Sequence, residues 1–321
     1  SVPPDVARAA VAARHIMQRA IDLQTPEEKS KAASLSRLVR SPHDKITMMR
    51  LTDQGFRSKN PQRVADQMVH LLKAQDIPGY LDRLDRTLLE VFRTFGRLMP
   101  GVSVPLVKRK MRSTSESLIL AAEPEPLKRH LDDRHKQGVR MNVNFLGEAV
   151  LGEGESRRRF REYMKALANP DVEVISVKIS TIYSQINPVS SEHTIGVICE
   201  RLEKLLDESR RHSFKKPDGS SAPKFVYLDM EEYRDMYLTT EAFIRTLGLE
   251  KFAGVPAGIA LQAYIPDSFL AQKRINEWAR RRVENGGAPV TIRIVKGANL
   301  EMEKTEAAVR NWRQAPFMTK I

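Results

Sequence analysis

Six side chains in this sequence carry chemistry at a spacing that repeats: Lys178, Asp229, Gln262, Tyr264, Arg293 and Lys296. Each lies at or near the end of a short apolar run. The clearest case is Pro289-Val-Thr-Ile-Arg-Ile-Val-Lys-Gly-Ala-Asn299. Val290, Ile292 and Ile294 fall on one face of a strand, and Thr291, Arg293 and Val295 on the other. Burying an arginine in such a strand costs several kcal/mol unless a polar or negative group meets it. Lys296 then stands at the carboxyl end, beside Gly297 and Ala298, where a ligand can approach the backbone closely. Cations, one carboxylate and an amide converging on one mouth suit an anionic or zwitterionic ligand. They do not suit a metal: there is no H-E-x-x-H and no paired Cys/His spacing. No Ser-His-Asp or G-x-S-x-G arrangement occurs either.

Five elements must position these residues. The expected strands are Met141–Phe145, Glu173–Ser180, Lys224–Met230, Ala257–Tyr264 and Val290–Lys296. Helices are expected between and after them: Glu155–Leu167, Ser191–Arg211, Thr239–Leu247, Ser268–Glu284 and Glu301–Trp312. Phe214–Pro223 reads as a polar loop. Strands alternating with helices imply right-handed crossovers and a parallel sheet. Alternate strand residues then separate into two sets. Ile175, Val177, Ile179, Val226, Leu228, Ile259, Leu261, Ile292 and Ile294 form an apolar set, joined by Met141, Val143 and Phe145. Asn142, Asn144, Ser176, Lys178, Ser180, Tyr227, Asp229, Gln262, Tyr264, Thr291 and Arg293 form a polar one. An open sheet wound on both sides would bury that polar face against helices. A (β/α)8 barrel instead turns the apolar set to the helices and the polar set inward, toward a ligand-binding mouth. No G-x-G-x-x-G follows a strand, which also disfavours a dinucleotide-binding open sheet. Only five of eight units are present, so the barrel is expected to be cut short after the fifth.

Residues 1–138 read as an all-helical N-terminal region preceding a barrel domain at 139–321. Asn60-Pro61 supplies an N-cap with proline at the first helical position. Val64, Met68, Leu71 and Leu72 follow at helical spacing, and Ile77-Pro78-Gly79 and Met99-Pro100-Gly101 mark breaks. The chain of 321 residues has one cysteine, Cys199, so no internal disulfide is possible. That fits a reducing, cytoplasmic location. No apolar run approaches the roughly 20 residues of a spanning helix. A net charge of +13 leaves open an alternative class: a basic protein that binds nucleic acid or a membrane surface around a non-catalytic barrel.

Five segments in order resemble one family: Asn144-Phe-Leu-Gly-Glu-Ala149, Ser176-Val-Lys-Ile-Ser-Thr-Ile-Tyr-Ser-Gln185, Tyr227-Leu-Asp-Met-Glu-Glu232, Leu261-Gln-Ala-Tyr264 and Arg293-Ile-Val-Lys-Gly-Ala298. They look like the successive strand-end motifs of proline dehydrogenase, most like the proline dehydrogenase part of the bifunctional proline utilization A (PutA) flavoproteins. Weaker likeness extends upstream through Thr52–Ser58 and Ile77–Leu81. The resemblance implies a distorted (β/α)8 barrel that binds FAD and oxidises L-proline to 1-pyrroline-5-carboxylate by hydride transfer to flavin N5. It implies electrons passing to a membrane quinone, with peripheral contact at the inner face of a bacterial membrane, and a homo-oligomer. NAD enters only if a glutamate-semialdehyde dehydrogenase domain follows. No nucleic acid partner is implied. By family position, Lys178, Asp229 and Arg293 are the catalytic set, and Lys178, Asp229 and Ala298 meet substrate. Gln262, Arg293, Val295, Lys296, Gly297 and Ala298 meet the cofactor. Glu148 is a further candidate, for orienting a basic partner. Two departures stand out. Asn299 occupies a place where this type often carries tyrosine. The family's Arg-Arg-x-x-Glu grip on the substrate carboxylate has no counterpart, since Arg280-Arg-Arg-Val-Glu284 lies one helix too early.

Overall fold

Proline at the first helical turn costs no hydrogen bond and fixes φ near its helical value. Like the first helix, four later N-terminal helices begin that way: α2 (Pro26–Arg40), α3 (Pro42–Gly55), α4 (Pro61–Gln75) and α6 (Pro100–Ser115). The first helix, α1, spans Pro4–Asp22, and α5 spans Arg83–Phe95. The computed structural model describes the whole chain except residues 1–3, 56–57, 59, 116–123, 146–149, 151, 217 and 318–321. Two compact units emerge, Ser1–Ala121 and Ala122–Ile321. The first is helical. Asn60 caps α4 through Oδ1, which accepts from the Gln62 and Arg63 amides at 2.9 and 3.4 Å. The expected stripe of Val64, Met68, Leu71 and Leu72 lies in its core with Leu51, Leu89 and Phe92. Asp44 is buried there and accepts from the Gly79 and Tyr80 amides, which ties α3 to the break after α4.

The second unit begins with α7 (Pro124–Lys136) and then alternates. Strand β1 (Asn142–Asn144) leads to α8 (Glu153–Ala168), and β2 (Val174–Lys178) to the short α9 (Ile179–Ile182) and long α10 (Ser191–Arg211). A small hairpin, β3 (Ser213–Lys215) and β4 (Ser221–Pro223), precedes β5 (Phe225–Asp229) and α11 (Met236–Leu247). Then come β6 (Ala257–Gln262), α12 (Ser268–Glu284), β7 (Val290–Val295) and α13 (Leu300–Arg310). The five long-range strands are all parallel, in the order β1-β2-β5-β6-β7. Each new strand joins the same growing edge, the progression of a barrel; a doubly wound sheet reverses direction. The fold is α/β, preceded by helices.

Ile175, Val177, Val226, Leu228, Ile259 and Leu261 pack into one core with Tyr163, Leu167, Ile195, Ile198, Phe243, Leu247 and Ile275 from the helices. The apolar strand face therefore meets the helices, as the alternation requires. Ile294 departs from it and is 57% exposed, because β7 is an edge of the described sheet. The amino ends of the strands carry structural ion pairs and caps. Arg140 binds Glu173 with two nitrogens, and buried Lys224 donates to the carbonyls of Asn169 and Val172.

Three local expectations change. The second strand stops at Lys178 rather than Ser180, since the β2–β5 ladder runs out at Lys178↔Asp229. Ile179–Ile182 then closes its own turn, with the Tyr183 amide donating to the Ile179 carbonyl at 2.9 Å. The fourth strand ends at Gln262, so Tyr264 belongs to the loop after β6. The supposed polar loop at 214–223 contains most of the β3–β4 hairpin, because Phe214 is buried and Asp218-Gly219, with Gly219 at φ +82°, makes its turn. No helix among the described residues is long and apolar enough to cross a membrane.

Candidate active site

The parallel register brings the strand ends level. Lys178, the last residue of β2, pairs in register with Asp229, the last of β5, and Gln262 of β6 pairs with Val295 of β7. Side chains near these ends meet across the sheet in two places, at Asp229 and just beyond it at Glu231. Arg293, two residues before the end of β7, donates Nη2 to Asp229 Oδ1. Asn144, the last residue of β1, donates to Asp229 Oδ2 at 3.3 Å. Asn142, one pleat earlier, donates to Ser176 Oγ at 2.9 Å. Both asparagines thus act as hydrogen-bond partners within the sheet's polar face.

Asp229 is buried, and burial pushes its carboxyl above the ordinary value; Arg293, Ser176 and Lys178 pull it back toward ionisation. Arg293 keeps 42% of its side chain exposed. One face of its guanidinium is committed to Asp229 and the remainder is open to a ligand. Its carbon also lies 5.7 Å from the centre of the Tyr227 ring. Gly258 makes room for that ring: a Cβ there would sit 2.3 Å from Tyr227 Cε1.

Lys178 does not pair directly with Asp229. Its ammonium lies 2.7 Å from Glu231 Oε1, a residue the strand periodicity did not single out. Ser180 Oγ donates to Glu231 Oε2 at 2.5 Å. The Glu231 carbonyl accepts from Gln262 Nε2 at 2.8 Å and from Asn299 Nδ2 at 2.5 Å. Gln262 is fully buried. Its Nε2 also donates to Tyr264 Oη at 2.9 Å, which accepts in turn from the Asn299 amide at 3.1 Å. A carbonyl partner can only accept, so this geometry sets which end of the Gln262 amide is nitrogen. Gln262 Oε1 is left buried with no hydrogen-bond partner, an acceptor that the protein's own donors do not satisfy.

The strand-end network has two hydrogen-bonded parts: Asp229 with Arg293 and Asn144, and Lys178, Gln262 and Tyr264 gathered around Glu231 and Asn299. Val295 follows on β7, where its carbonyl accepts from the Ala263 amide at 2.9 Å. Lys296 and Ala298 are exposed beyond the strand end and Gly297 is half-buried. These residues line the turn without joining the network. Glu148 lies outside the described residues. Asn299 is the N-cap residue of α13, and its side chain is already committed to Glu231. Among the described residues no cluster of three or more His, Cys, Asp or Glu side chains suited to a metal is present.

Residues 127–321 match the model of the family described as proline dehydrogenase. This chain belongs to the proline dehydrogenase family. Among solved structures it resembles proline utilization A (PutA) from Corynebacterium freiburgense, at 38% identity and TM-score 0.60, over 71% of this chain and 23% of that one. Two further likenesses support the fold. PutA from Bdellovibrio bacteriovorus, inactivated by N-propargylglycine, shares 22% identity at TM-score 0.60, over 91% of this chain and 31% of that one. A PutA variant from Bradyrhizobium japonicum shares 20% identity at TM-score 0.53, over 95% and 31%. The chain therefore spans less than a third of the length of these structures. No curated protein matches it.

Proposed function

We propose that this chain carries the proline-oxidising site of a flavoenzyme that converts L-proline to 1-pyrroline-5-carboxylate in proline catabolism. The observation that carries the reading is the buried, unpartnered Gln262 Oε1 at the same mouth as the partly exposed Arg293 cation. A flat heteroaromatic group with an N–H and electron-poor carbonyls fits that pair. In this reading Gln262, Arg293, Val295, Lys296, Gly297 and Ala298 hold FAD. When bound, FAD supplies a hydride acceptor at N5. Arg293 and Lys296 favour negative charge building near them, as fixed cations in a partly dry site do. Lys178 binds the substrate carboxylate, with Ala298 on the same side, and Asp229 fixes the Arg293 guanidinium. Lys178, Asp229 and Arg293 are the proposed catalytic set. Transfer of electrons to a membrane quinone, oligomerisation and a following NAD-dependent aldehyde dehydrogenase belong to the same proposal for the longer protein.

The basic alternative has less to stand on. On α8, α10 and α13 many cations pair with acidic residues three or four positions away, as in Arg158–Glu155, Lys165–Glu162, Lys204–Glu200 and Arg310–Glu306. Such pairs describe solvated helix faces. The deciding experiment is a visible absorption spectrum before and after L-proline is added under nitrogen. Flavin bands that bleach support the reading. A protein that takes up no FAD overturns it.

A further inference from the structure

Glu231 has no place in the sheet, yet four elements meet on it. Its Oε1 is 2.7 Å from Lys178 Nζ, at the end of β2. Its Oε2 accepts from Ser180 Oγ of α9 at 2.5 Å. Its carbonyl accepts from Gln262 at the end of β6 and from Asn299 at the start of α13. Side chain and main chain thus serve different partners. The carboxylate holds the end of the site that carries Lys178; the carbonyl holds the end that carries Gln262.

The lysine end depends on this arrangement. A lysine ammonium sits on a flexible four-carbon stem and is a point charge without a preferred direction. Where Lys178 and Glu231 meet, their side chains are only 19% and 26% exposed, so their attraction is less screened than between surface groups. Ser180 occupies the opposite carboxylate oxygen, so the carboxylate cannot turn away. The ammonium has three N–H donors. Glu231 takes one and leaves two for another acceptor.

We infer that Glu231 is a positioning residue that fixes the Lys178 ammonium for a substrate carboxylate through its side chain, while its main chain separately fixes the Gln262 amide. What Lys178 binds rests on the proposed function; the assignment of Glu231 does not. The separation of roles makes the inference testable. Substituting the side chain disturbs the Lys178 end and leaves the Gln262 end in place.

The test uses the holoenzyme and the variants Glu231→Ala, Glu231→Gln and Lys178→Met, with the melting temperature of each as a check on folding. In Glu231→Ala the KM for L-proline is expected to rise about tenfold or more while FAD affinity stays within about twofold. The isosteric Glu231→Gln, which keeps the hydrogen bonds but not the charge, falls between. In a Lys178→Met background Glu231→Ala adds nothing further, because the effect runs through the lysine. A second measurement needs no proline. Acetylation of Lys178 by acetic anhydride, followed by mass spectrometry, is expected to run several-fold faster in Glu231→Ala. An unchanged acetylation rate overturns the inference, as does loss of FAD affinity in step with the rise in KM. Faster acetylation in a protein whose flavin L-proline does not bleach upholds the role of Glu231 and overturns the proposed function instead.

Discussion

Asp229 is held between two opposed effects. Burial favours its neutral form, and the Arg293 guanidinium, first among its neighbours, favours the carboxylate. Removing the arginine leaves a buried carboxylate that must either stay charged without a partner or take a proton. Arg293→Ala is therefore expected to weaken FAD binding by about tenfold or more, roughly 1.4 kcal/mol. It also lowers the melting temperature more at pH 7 than at pH 4, since at the lower pH a carboxyl that burial raises above 3.8 takes a proton and the unpaired charge is relieved. Titration of the apoprotein with FAD and melts at the two pH values check both parts; an equal loss of stability at each would show that Asp229 is not the group involved. Lys178, Asp229, Gln262 and Arg293 were legible in the sequence because a polar residue at period two inside an apolar strand has few places to go. Glu231 was not, because it lies two residues past the end of β5. Beyond a strand end, alternation no longer assigns a face, and only the folded loop shows that a carboxylate there turns back to Lys178.

The strands and helices were legible for the same reason: each apolar face needs a partner layer, and the parallel βαβ grammar supplies one. What escaped was local closure. The α9 turn and the β3–β4 hairpin are short, and short segments are decided by single contacts such as buried Phe214 rather than by a repeating pattern. Gly258 is another single contact of this kind, inside β6. A Cβ there meets the Tyr227 ring at 2.3 Å and the Thr291 carbonyl oxygen at 2.9 Å. Gly258→Ala must push apart β5, β6 and β7, and is expected to cost about 1–3 kcal/mol, measured by urea unfolding; a neutral result would mean that the ring moves freely. Arg282 makes the opposite point on α12. It is buried without a carboxylate, and its guanidinium donates to the carbonyls of Leu247, Phe252, Val255 and Ala288. Those four groups lie in the chain before β6 and before β7, so one fork closes the ends of two connections. Arg282→Lys cannot reproduce the fork. It is expected to destabilise by about 3 kcal/mol or more, as several buried acceptors lose their donors, and to do so nearly as much as Arg282→Met. Full stability in the lysine variant would count against this account.

At the scale of the whole molecule, three perturbed groups away from the mouth contribute in different ranges to how stability depends on pH. Burial, then the negative charge of Glu232, pushes the Asp235 carboxyl from 3.8 up to about 6. The folded chain holds this proton more tightly than the unfolded one, so stability falls as pH rises from about 4 to about 6. At about 1.4 kcal/mol per unit the step is at most about 3 kcal/mol. Burial pulls Lys224 the other way, from 10.5 down to about 8. The unfolded chain then binds the proton more tightly, and stability rises between about pH 8 and 10.5. For Glu153, burial opposes ionisation, but hydrogen bonds from Arg201 and Ser184 outweigh it and hold the carboxyl at about 2. Its contribution is present above about pH 4.5 and is lost as pH falls toward 2. There the net charge, already +13 at pH 7, climbs as other carboxylates neutralise, and self-repulsion adds to the loss. Melts of the wild type and Asp235→Asn from pH 2 to 10 are expected to differ in one feature, the falling step between pH 4 and 6, which the variant lacks. A variant that keeps the step would assign it to another carboxyl.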